Sequence, residues 1–267
     1  MKKIAFIGAG NMAFAIASGA IASKTISPSN IILYDTNSNQ YNKFHESCFR
    51  ALDLSSLITL SDYIFLSVKP QNINTVFEGI KNENLSNKTI VSICAGVTID
   101  SIQKALGNIG IIRAMPNTPL LIGEGVTALC HNSFAKKDDL NFINKIFSSS
   151  GITTWIDESD MNTITATTGS SPAYVYLFIK SIYDASKKLG LDSDDTIKII
   201  CKTFIGASNM ILSNNDKSID ELISMVRSPN GTTEKALNVF DENNLSDIIY
   251  QAMKACSNRA DELSKLN

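Results

Sequence analysis

The stretch Lys3–Ala13, KIAFIGAGNMA, decides the fold of this chain. Its first part is a short apolar run typical of a strand, and the rest opens a helical segment that continues to about Lys24. A glycine-rich turn between a strand and a helix is the setting of a dinucleotide-binding fingerprint, in which the helix start accepts a pyrophosphate. The expected cofactor-binding residues of this turn are Gly8, Ala9, Gly10, Asn11, Met12 and Ala13.

Each small residue of the turn has its own role. Gly8 permits the tight turn, Gly10 lets the backbone approach a pyrophosphate, and Ala13 allows the helix to pack closely on the strand. Asp35 closes the next predicted strand, where a carboxylate can accept hydrogen bonds from the adenosine ribose and repel a 2′-phosphate. Asp35 therefore favours NADH. The alternative is that it only caps the following turn, so the cofactor prediction is NADPH or NADH.

Strand and helix patterns alternate up to Ile156, and only helical patterns follow. The alternation predicts a mostly parallel, doubly wound sheet. We therefore predict an α/β protein with an N-terminal Rossmann-like NAD(P)-binding domain over residues 1–157 and an all-helical domain over residues 158–267. The predicted strands after the first are Ile31–Tyr34, Tyr63–Val68, Thr89–Cys94, Gly110–Arg113, Val126–Leu129 and Thr153–Ile156.

Composition argues against several classes of function. The chain has 267 residues, a formal net charge of −2 and no Lys/Arg-rich patch, so no nucleic-acid partner is expected. Its longest apolar runs are far too short to span a membrane. Two histidines and five cysteines without a CxxC pair argue against a metal site. The cysteines instead predict free, buried thiols in a cytoplasmic protein.

A second turn with chemical potential lies in the helical half, within Met225–Glu234, MVRSPNGTTE. Small hydroxyl and amide side chains surround Pro229 and Gly231, and a predicted helix begins directly afterwards. Exposed N–H groups at such a helix start attract a carboxylate or a phosphate. The alternative interpretation is an ordinary capped turn without a ligand.

Six short motifs, read in order along the chain, resemble the signatures of the pyrroline-5-carboxylate reductases. The resemblance spans almost the whole chain, and RAMPNTP followed by an SPxGTT turn is its most specific part. The motifs are Gly8–Ala13 (GAGNMA), Ser67–Pro70 (SVKP), Ser92–Gly96 (SICAG), Arg113–Pro119 (RAMPNTP), Gly169–Tyr174 (GSSPAY) and Ser228–Thr233 (SPNGTT).

This resemblance implies an oxidoreductase of proline biosynthesis. NADPH or NADH would reduce the cyclic imine of 1-pyrroline-5-carboxylate, giving L-proline. The implied fold is a Rossmann-like domain followed by a helical dimerisation domain, which agrees with the pattern above. The residues that the resemblance places at the nicotinamide end of the cofactor are Val68, Lys69, Pro70, Ala95 and Gly96.

The same resemblance assigns substrate binding to the second turn. Backbone N–H groups from Gly231 to Thr233, with the Ser228 hydroxyl, suit a carboxylate that needs several donors. Thr233, or a water that it positions, is the expected catalytic group that donates or orients the proton for the imine nitrogen. The alternative is that Thr233 only caps the helix. The implied substrate-binding residues are Ser228, Asn230, Gly231, Thr232 and Thr233.

Departures from the family pattern keep two alternative functions open. Ser171 and Asn230 replace glycines, and Ile223 and Ser224 stand where the family commonly has a basic and then an acidic residue. One alternative is a related imine reductase or hydroxyacid dehydrogenase acting on another substrate, although no lysine here lies on a hydroxyacid dehydrogenase motif. The other is a dinucleotide-binding sensor that has lost catalysis.

Apolar residues recur at helical spacing in the second half, for example Leu177, Phe178 and Ile182. A simple core stripe is the default interpretation. So few helical residues make a thin body for so much apolar surface, which favours a partner. The resemblance implies a homodimer whose active site is completed across the subunit boundary, with a decamer as a further level of assembly.

Overall fold

The computed structural model describes residues 2–266, with the side chains of residues 265 and 266 left out of the description. Its sheet has eight strands in the order β3-β2-β1-β4-β5-β6-β7-β8, and every neighbouring pair is parallel except β6 and β7. The strands are β1 (Ile4–Ile7), β2 (Ile31–Tyr34), β3 (Phe49–Arg50), β4 (Tyr63–Leu66), β5 (Thr89–Ser92), β6 (Gly110–Pro116), β7 (Gly125–His131) and β8 (Gly151–Trp155). The predicted mostly parallel, doubly wound sheet is therefore confirmed.

Helices cover both faces of this sheet because alternate strand residues point to opposite sides. Ile4 and Phe6 of β1 join one buried cluster, whereas Ala5 and Ile7 join another. The first cluster includes residues of α1 (Asn11–Ala22) and α5 (Lys137–Ser148). The second includes residues of three helices, which are α2 (Leu54–Leu60), α3 (Ile73–Ile80) and α4 (Ile99–Leu106).

The sequence prediction missed two short elements between β2 and β4. One is β3, a two-residue edge strand, and the other is α2, which begins with a capping box between Asp53 and Ser56. Both are too short for an apolar period to emerge. The predicted strand Gly110–Arg113 was also too short, because β6 continues to Pro116 in its antiparallel pairing with β7.

The chain after β8 is helical, as predicted. A short helix, α6 (Met161–Ile164), passes into a π-helical turn, Thr165–Gly169. Five longer helices follow, namely α7 (Ser171–Lys188), α8 (Thr196–Ser213), α9 (Ile219–Val226), α10 (Thr232–Glu242) and α11 (Leu245–Leu266). Among residues 2–266 no helix has both the length and the apolar character to cross a membrane.

Two compact units divide the chain, and their boundary differs from the predicted residue 157. The sheet unit contains the chain up to Pro172 and again from Lys254 onward, and the helical unit is Ala173–Met253. Residue 157 marks the end of the strands, but the next helical turns still pack with the sheet. Met161 is fully buried in the second cluster, and Ala260 of α11 is 3% exposed.

The helical unit buries very little of its own apolar surface. Helices α7, α9 and α10 have no buried residue, and the only buried residues of α8 are Thr196 and Ile200. In α7, Leu177 is 63% exposed and Ile182 is 43% exposed. The predicted apolar stripe is therefore an exposed surface in this chain and does not form a closed core.

All five cysteines lie within the described part of the chain and are free thiols. The prediction that they are buried holds for Cys48, Cys94 and Cys130. It is wrong for Cys201 and Cys256, which are half-buried. Cys201 lies in α8 and Cys256 lies in α11, and each of these residues keeps part of its surface exposed.

Candidate functional site

The glycine-rich turn after β1 is held by contacts that only glycine permits at its first position. Gly8 has φ +98°, and its N–H donates to the Tyr34 carbonyl at 2.8 Å. A Cβ at this position would lie 2.7 Å from the Ser67 carbonyl oxygen. The hydroxyl of Ser67 donates to the Gly8 carbonyl at 2.6 Å, which ties the turn to the end of β4. Gly8 therefore packs against protein backbone and leaves no room for a side chain.

Gly10, in contrast, faces open space. It is the N-cap residue of α1, no side chain caps this helix start, and a Cβ would have no atom within 4 Å. The helix start borders a cleft of about 510 Å³. Uncapped N–H groups and the helix dipole favour an anion there. The residues present therefore fit the pyrophosphate of a dinucleotide, with Gly10 leaving the space that the ligand needs.

Asp35 lies at the same cleft, but backbone donors occupy both of its carboxylate oxygens. Oδ2 accepts the Ala9 N–H at 2.7 Å, and Oδ1 accepts the Asn37 N–H at 2.8 Å. This geometry agrees with the alternative considered above, in which Asp35 caps the following turn, and the carboxylate also holds the backbone of the glycine-rich turn. Asp35 fastens the glycine-rich turn to the end of β2.

Sequence reasoning missed Tyr41, which fixes the backbone of Asp35. The Tyr41 hydroxyl accepts the Asp35 N–H at 2.7 Å and donates to the Asp35 carbonyl at 2.9 Å. Its ring is buried in the first cluster. A buried aromatic with a polar tip usually has such a partner, but nothing in the local sequence identifies which partner it takes.

Val68 and Lys69 line the same cleft as the glycine-rich turn, and Pro70 opens a single 3₁₀ turn directly after them. A thiol that sequence reasoning did not select supports this segment. Cys94 Sγ lies 3.3 Å from the carbonyl oxygens of both Leu66 and Val68, which share its single S–H donor. Burial raises the pKa of Cys94 to about 12, so the group is a neutral thiol donor at physiological pH.

Ala95 and Gly96 follow Cys94, and the neighbours of Gly96 explain why it is glycine. Gly96 is buried with φ +74°, and a Cβ there would lie 2.7 Å from Leu263 Cβ and 3.1 Å from the Ala260 carbonyl oxygen. The end of α11 therefore approaches this loop closely. A nicotinamide-binding role for Ala95 and Gly96 stays a prediction.

The second turn, Ser228–Thr233, lies in the helical unit and is mostly exposed. Asn230 takes the left-handed conformation with φ +58°, which Asn tolerates better than most non-glycine residues. The Gly231 N–H donates to the Ser228 carbonyl at 2.9 Å, so this donor closes the turn. A Cβ at residue 231 would lie 2.2 Å from Ser228 Oγ, so only glycine at this position lets the Ser228 hydroxyl lie against the helix start. Thr232 and Thr233 then begin α10, whose start no side chain caps.

Glu234 braces this turn from inside the helix. Its Oε2 accepts the Asn230 N–H at 2.9 Å, and its Oε1 lies 3.4 Å from the Arg227 guanidinium. The Glu234 side chain is 25% exposed and that of Arg227 is 40% exposed. The two residues connect the start of the turn to the first turn of α10.

Thr233 also lines an apolar groove of about 350 Å³ in the helical unit. The groove lies among residues of α8, α9 and α10, including Met210, Ile219, Leu222 and Leu237. Thr233 is thus the polar group at the end of an apolar surface. No group of three or more potential metal ligands occurs among the described residues.

Comparison with known protein families divides the chain into two matched regions. Residues 3–96 match the family described as NADP oxidoreductase, coenzyme F420-dependent. Residues 158–263 match the family described as pyrroline-5-carboxylate reductase dimerisation. The first region contains the glycine-rich turn and the second contains the Ser228–Thr233 turn.

The likeness extends over full-length proteins. A pyrroline-5-carboxylate reductase of Pasteurella multocida is 36% identical over 273 residues, covering 99% of this chain and 98% of that protein. The chain belongs to the pyrroline-5-carboxylate reductase family. The Escherichia coli member is 34% identical over 267 residues and is covered to 99%. The family resemblance inferred from the six motifs is therefore confirmed.

A solved member of the pyrroline-5-carboxylate reductase family has the same fold. The Plasmodium falciparum pyrroline carboxylate reductase, whose crystal structure has NADP bound, superimposes with a TM-score of 0.91 at 31% identity, and the match covers 98% of both chains. The Rossmann-like domain followed by a helical dimerisation region is thus the fold of this chain. It agrees with the prediction from strand and helix patterns.

One family motif of the sheet unit has a buried charge that the sequence did not explain. Arg113, the first residue of RAMPNTP, is 2% exposed and lies 3.0 Å from Glu158 Oε1. The same oxygen accepts the Ile99 N–H at 2.7 Å. An unpaired buried charge is strongly destabilising, so the ion pair with Glu158 stabilises the buried Arg113 guanidinium. Through its two contacts, Glu158 also connects the segment after β8 to β6 and to the start of α4.

Proposed function

We propose that this chain reduces the cyclic imine of 1-pyrroline-5-carboxylate with NADPH or NADH, giving L-proline. The observation that carries the proposal is the full-length identity of 31–36% to pyrroline-5-carboxylate reductases of several bacteria. The cleft at the glycine-rich turn and the helix start after Ser228 supply the two kinds of binding surface that the reaction requires. The cofactor, when bound, supplies the hydride.

The sheet unit would hold the cofactor through backbone donors. The start of α1 accepts the pyrophosphate, and Asp35 keeps the glycine-rich turn in the conformation that presents these donors. Val68 and Lys69, steadied by the thiol of Cys94, border the same cleft. We propose that these two residues position the nicotinamide for hydride transfer, together with Pro70, Ala95 and Gly96.

The Ser228–Thr233 turn would bind the substrate carboxylate. The Thr232 and Thr233 N–H groups stand at the start of a helix without a side-chain cap, and the Ser228 hydroxyl lies against Gly231, the N-cap residue of this helix. Several donors directed at one negative charge make strong hydrogen bonds. Asn230 and Gly231 shape the turn, since the Gly231 N–H closes it and Asn230 supplies the left-handed residue.

Thr233 would orient the proton that the imine nitrogen receives. A threonine hydroxyl is a weak acid at neutral pH, so its contribution is positional, through its own hydroxyl or through a water. Replacing Thr233 by Ala should lower kcat about 100-fold and leave the affinity for reduced cofactor within about twofold. Thr233→Ser keeps a hydroxyl and should recover much of the rate. Near-normal turnover of Thr233→Ala would remove this residue from the mechanism.

The helical unit would assemble with a second copy into a homodimer. The family match over 158–263 is a dimerisation region, and α7 to α10 expose apolar side chains that one chain leaves uncovered. We further propose that the dimer completes the active site, that dimers can assemble into a decamer, and that the enzyme works in the cytoplasm, where free thiols such as Cys94 persist.

The first test is the oxidation of reduced cofactor by the purified full chain supplied with pyrroline-5-carboxylate, in parallel with NADH and NADPH. Turnover with formation of proline is the expected result. Binding of both cofactors without turnover of this imine, in a protein that is folded and dimeric, would contradict the proposal. That outcome would favour the sensor, or a reductase of another imine if a different cyclic imine is reduced.

A further inference from the structure

The choice between NADH and NADPH in such enzymes depends on the side chains that follow β2. The hydrogen bonds of Asp35 change the part that this residue can take in that choice. A carboxylate selects NADH when its oxygens accept hydrogen bonds from the ribose. Here each carboxylate oxygen already accepts one backbone N–H, from Ala9 at 2.7 Å and from Asn37 at 2.8 Å, so only about half of the acceptor capacity is left for a ribose. Two backbone donors also offset part of the negative charge that would repel a 2′-phosphate. Asp35 is thus a weaker selector for NADH than a carboxylate whose oxygens are both free.

The structure brings Lys43, which the sequence analysis did not select, close to this place. The segment Ser38–Lys43 forms a 3₁₀ helix after β2. Buried aromatic rings fix it on both sides of the lysine. Tyr41 is bonded to the backbone of Asp35, and Phe44 packs edge-on against Phe14 of α1 with ring centroids 5.5 Å apart. The 3₁₀ helix therefore lies against α1 near its first turn.

The ammonium group of Lys43 has only neutral acceptors among its recorded contacts. Nζ lies 3.0 Å from Asn11 Oδ1, in the first turn of α1, and 2.7 Å from Gln40 Oε1. No ion pair recorded among residues 2–266 involves Lys43. Gln40 lines the same cleft as Asp35 and Gly10. A half-buried cation is thus held beside a residue of the cleft, and it makes no ion pair within residues 2–266.

We propose that Lys43 binds the 2′-phosphate of NADPH and gives this enzyme its preference for NADPH over NADH. Lys43 contacts Asn11, at the helix start suited to the pyrophosphate, and Gln40, which lines the same cleft as Asp35; the 2′-phosphate branches from the adenosine ribose expected in this cleft. A phosphate monoester carries about −1.5 to −2 charges at neutral pH, so a cation with only neutral partners is a suitable receptor. Asp35 acts as a positioning residue for the turn.

This inference rests on the proposed function for the identity of the cofactor, but it can be tested without the imine. The equilibrium affinity of the full chain for NADPH and for NADH is measured from the fluorescence of the reduced nicotinamide. Lys43→Met should weaken NADPH binding about tenfold or more, because a charge-assisted contact is lost, and leave NADH within about twofold. 2′,5′-ADP should compete with NADPH better in the wild type than in Lys43→Met.

Two further variants sharpen the result. Arg50→Met removes a cation whose guanidinium lies 5.3 Å from the Tyr41 ring and outside the cleft, so both affinities should stay within about twofold. Lys43→Arg keeps the charge and should retain a preference for NADPH. Asp35→Ser should weaken both cofactors by a similar factor, because it loosens the glycine-rich turn that both of them use.

The outcomes separate this inference from the proposed function. An equal loss of NADH and NADPH in Lys43→Met would place the lysine on the pyrophosphate and overturn the proposal, and so would an unchanged NADPH affinity. A strong and selective gain of NADPH affinity in Asp35→Ser would restore Asp35 as the selector. Selective loss of NADPH in Lys43→Met, in a protein that reduces no pyrroline-5-carboxylate, would support the lysine's role while the proposed reaction fails.

Discussion

The sheet unit and the helical unit bury their apolar side chains in opposite ways. In the sheet unit, two clusters of buried residues fill both faces of the sheet within one chain. In the helical unit, α7, α9 and α10 contribute no buried residue. The difference indicates that one chain is sufficient to form the cleft at the glycine-rich turn, whereas the helices around the proposed substrate turn leave apolar surface uncovered, which is typical of an interface with a partner.

The largest effect should follow from a charge on the exposed apolar face of the helical unit. Leu177→Glu places a carboxylate where we propose that the second copy packs, and burying an unpaired charge costs several kcal/mol. We expect the dimer dissociation constant to rise at least about 100-fold and turnover to fall with it at low protein concentration. Sedimentation velocity over a range of concentrations measures the change.

Leu52→Glu is the matched control for that variant. Leu52 is 93% exposed on the sheet unit, so the same substitution there should leave assembly and turnover unchanged. If Leu177→Glu sediments as the wild type does, α7 is not at the interface. A wild type that is monomeric and fully active would remove the contrast between the two units.

A smaller effect, confined to the sheet unit, should follow from adding one methyl group to the glycine-rich turn. Gly8→Ala forces a Cβ to 2.7 Å from the Ser67 carbonyl oxygen at φ +98°, and should cost about 3 kcal/mol of unfolding free energy. Urea unfolding followed by the fluorescence of Trp155, the single tryptophan and a β8 residue, reports on this unit.

Gly10→Ala is the partner experiment. Its Cβ meets no atom within 4 Å, so stability should change by less than about 1 kcal/mol while cofactor affinity falls. Equal destabilisation by the two substitutions would show that the turn tolerates strain better than its contacts suggest. Unchanged cofactor affinity in Gly10→Ala would place the pyrophosphate elsewhere.

The smallest effect should come from the brace of the exposed turn. Glu234→Gln keeps an oxygen to accept the Asn230 N–H but loses the ion pair with Arg227, which is worth at most about 1 kcal/mol at a partly exposed site. We expect KM for the imine to rise a few-fold while kcat changes little. Arg227→Gln should reproduce the change, and a large fall in kcat for either variant would give the pair a chemical role.

Patterns of local sequence predicted much of the architecture. The strand Ile31–Tyr34 was predicted with its observed bounds, because its apolar pattern extends over the whole element. The helical character after β8 was predicted for the same reason. The glycine-rich turn was recognised from its position between a strand and a helix, and the structure places it there.

What the sequence could not provide were the partners of polar groups. The carboxylate of Asp35 was expected to accept hydrogen bonds from a ribose. In the structure it accepts the N–H of Ala9, which lies 26 positions away in the sequence. Lys43 contacts Asn11 because buried aromatic rings pack the 3₁₀ helix against α1. Such pairings depend on where two loops converge in space, and no periodicity encodes them.

The packing of α11 on the sheet unit has a consequence for the synthesis of the protein on the ribosome. Residues of α11 from Lys254 onward belong to the sheet unit, where Leu263 and Ala260 pack closely against Gly96. Translation at about 5–20 residues per second must therefore pass through the whole helical unit before the sheet unit can be completed. For several seconds the nascent sheet unit would expose the loop at Gly96, because α11 can cover this loop only after the helical unit has been synthesised.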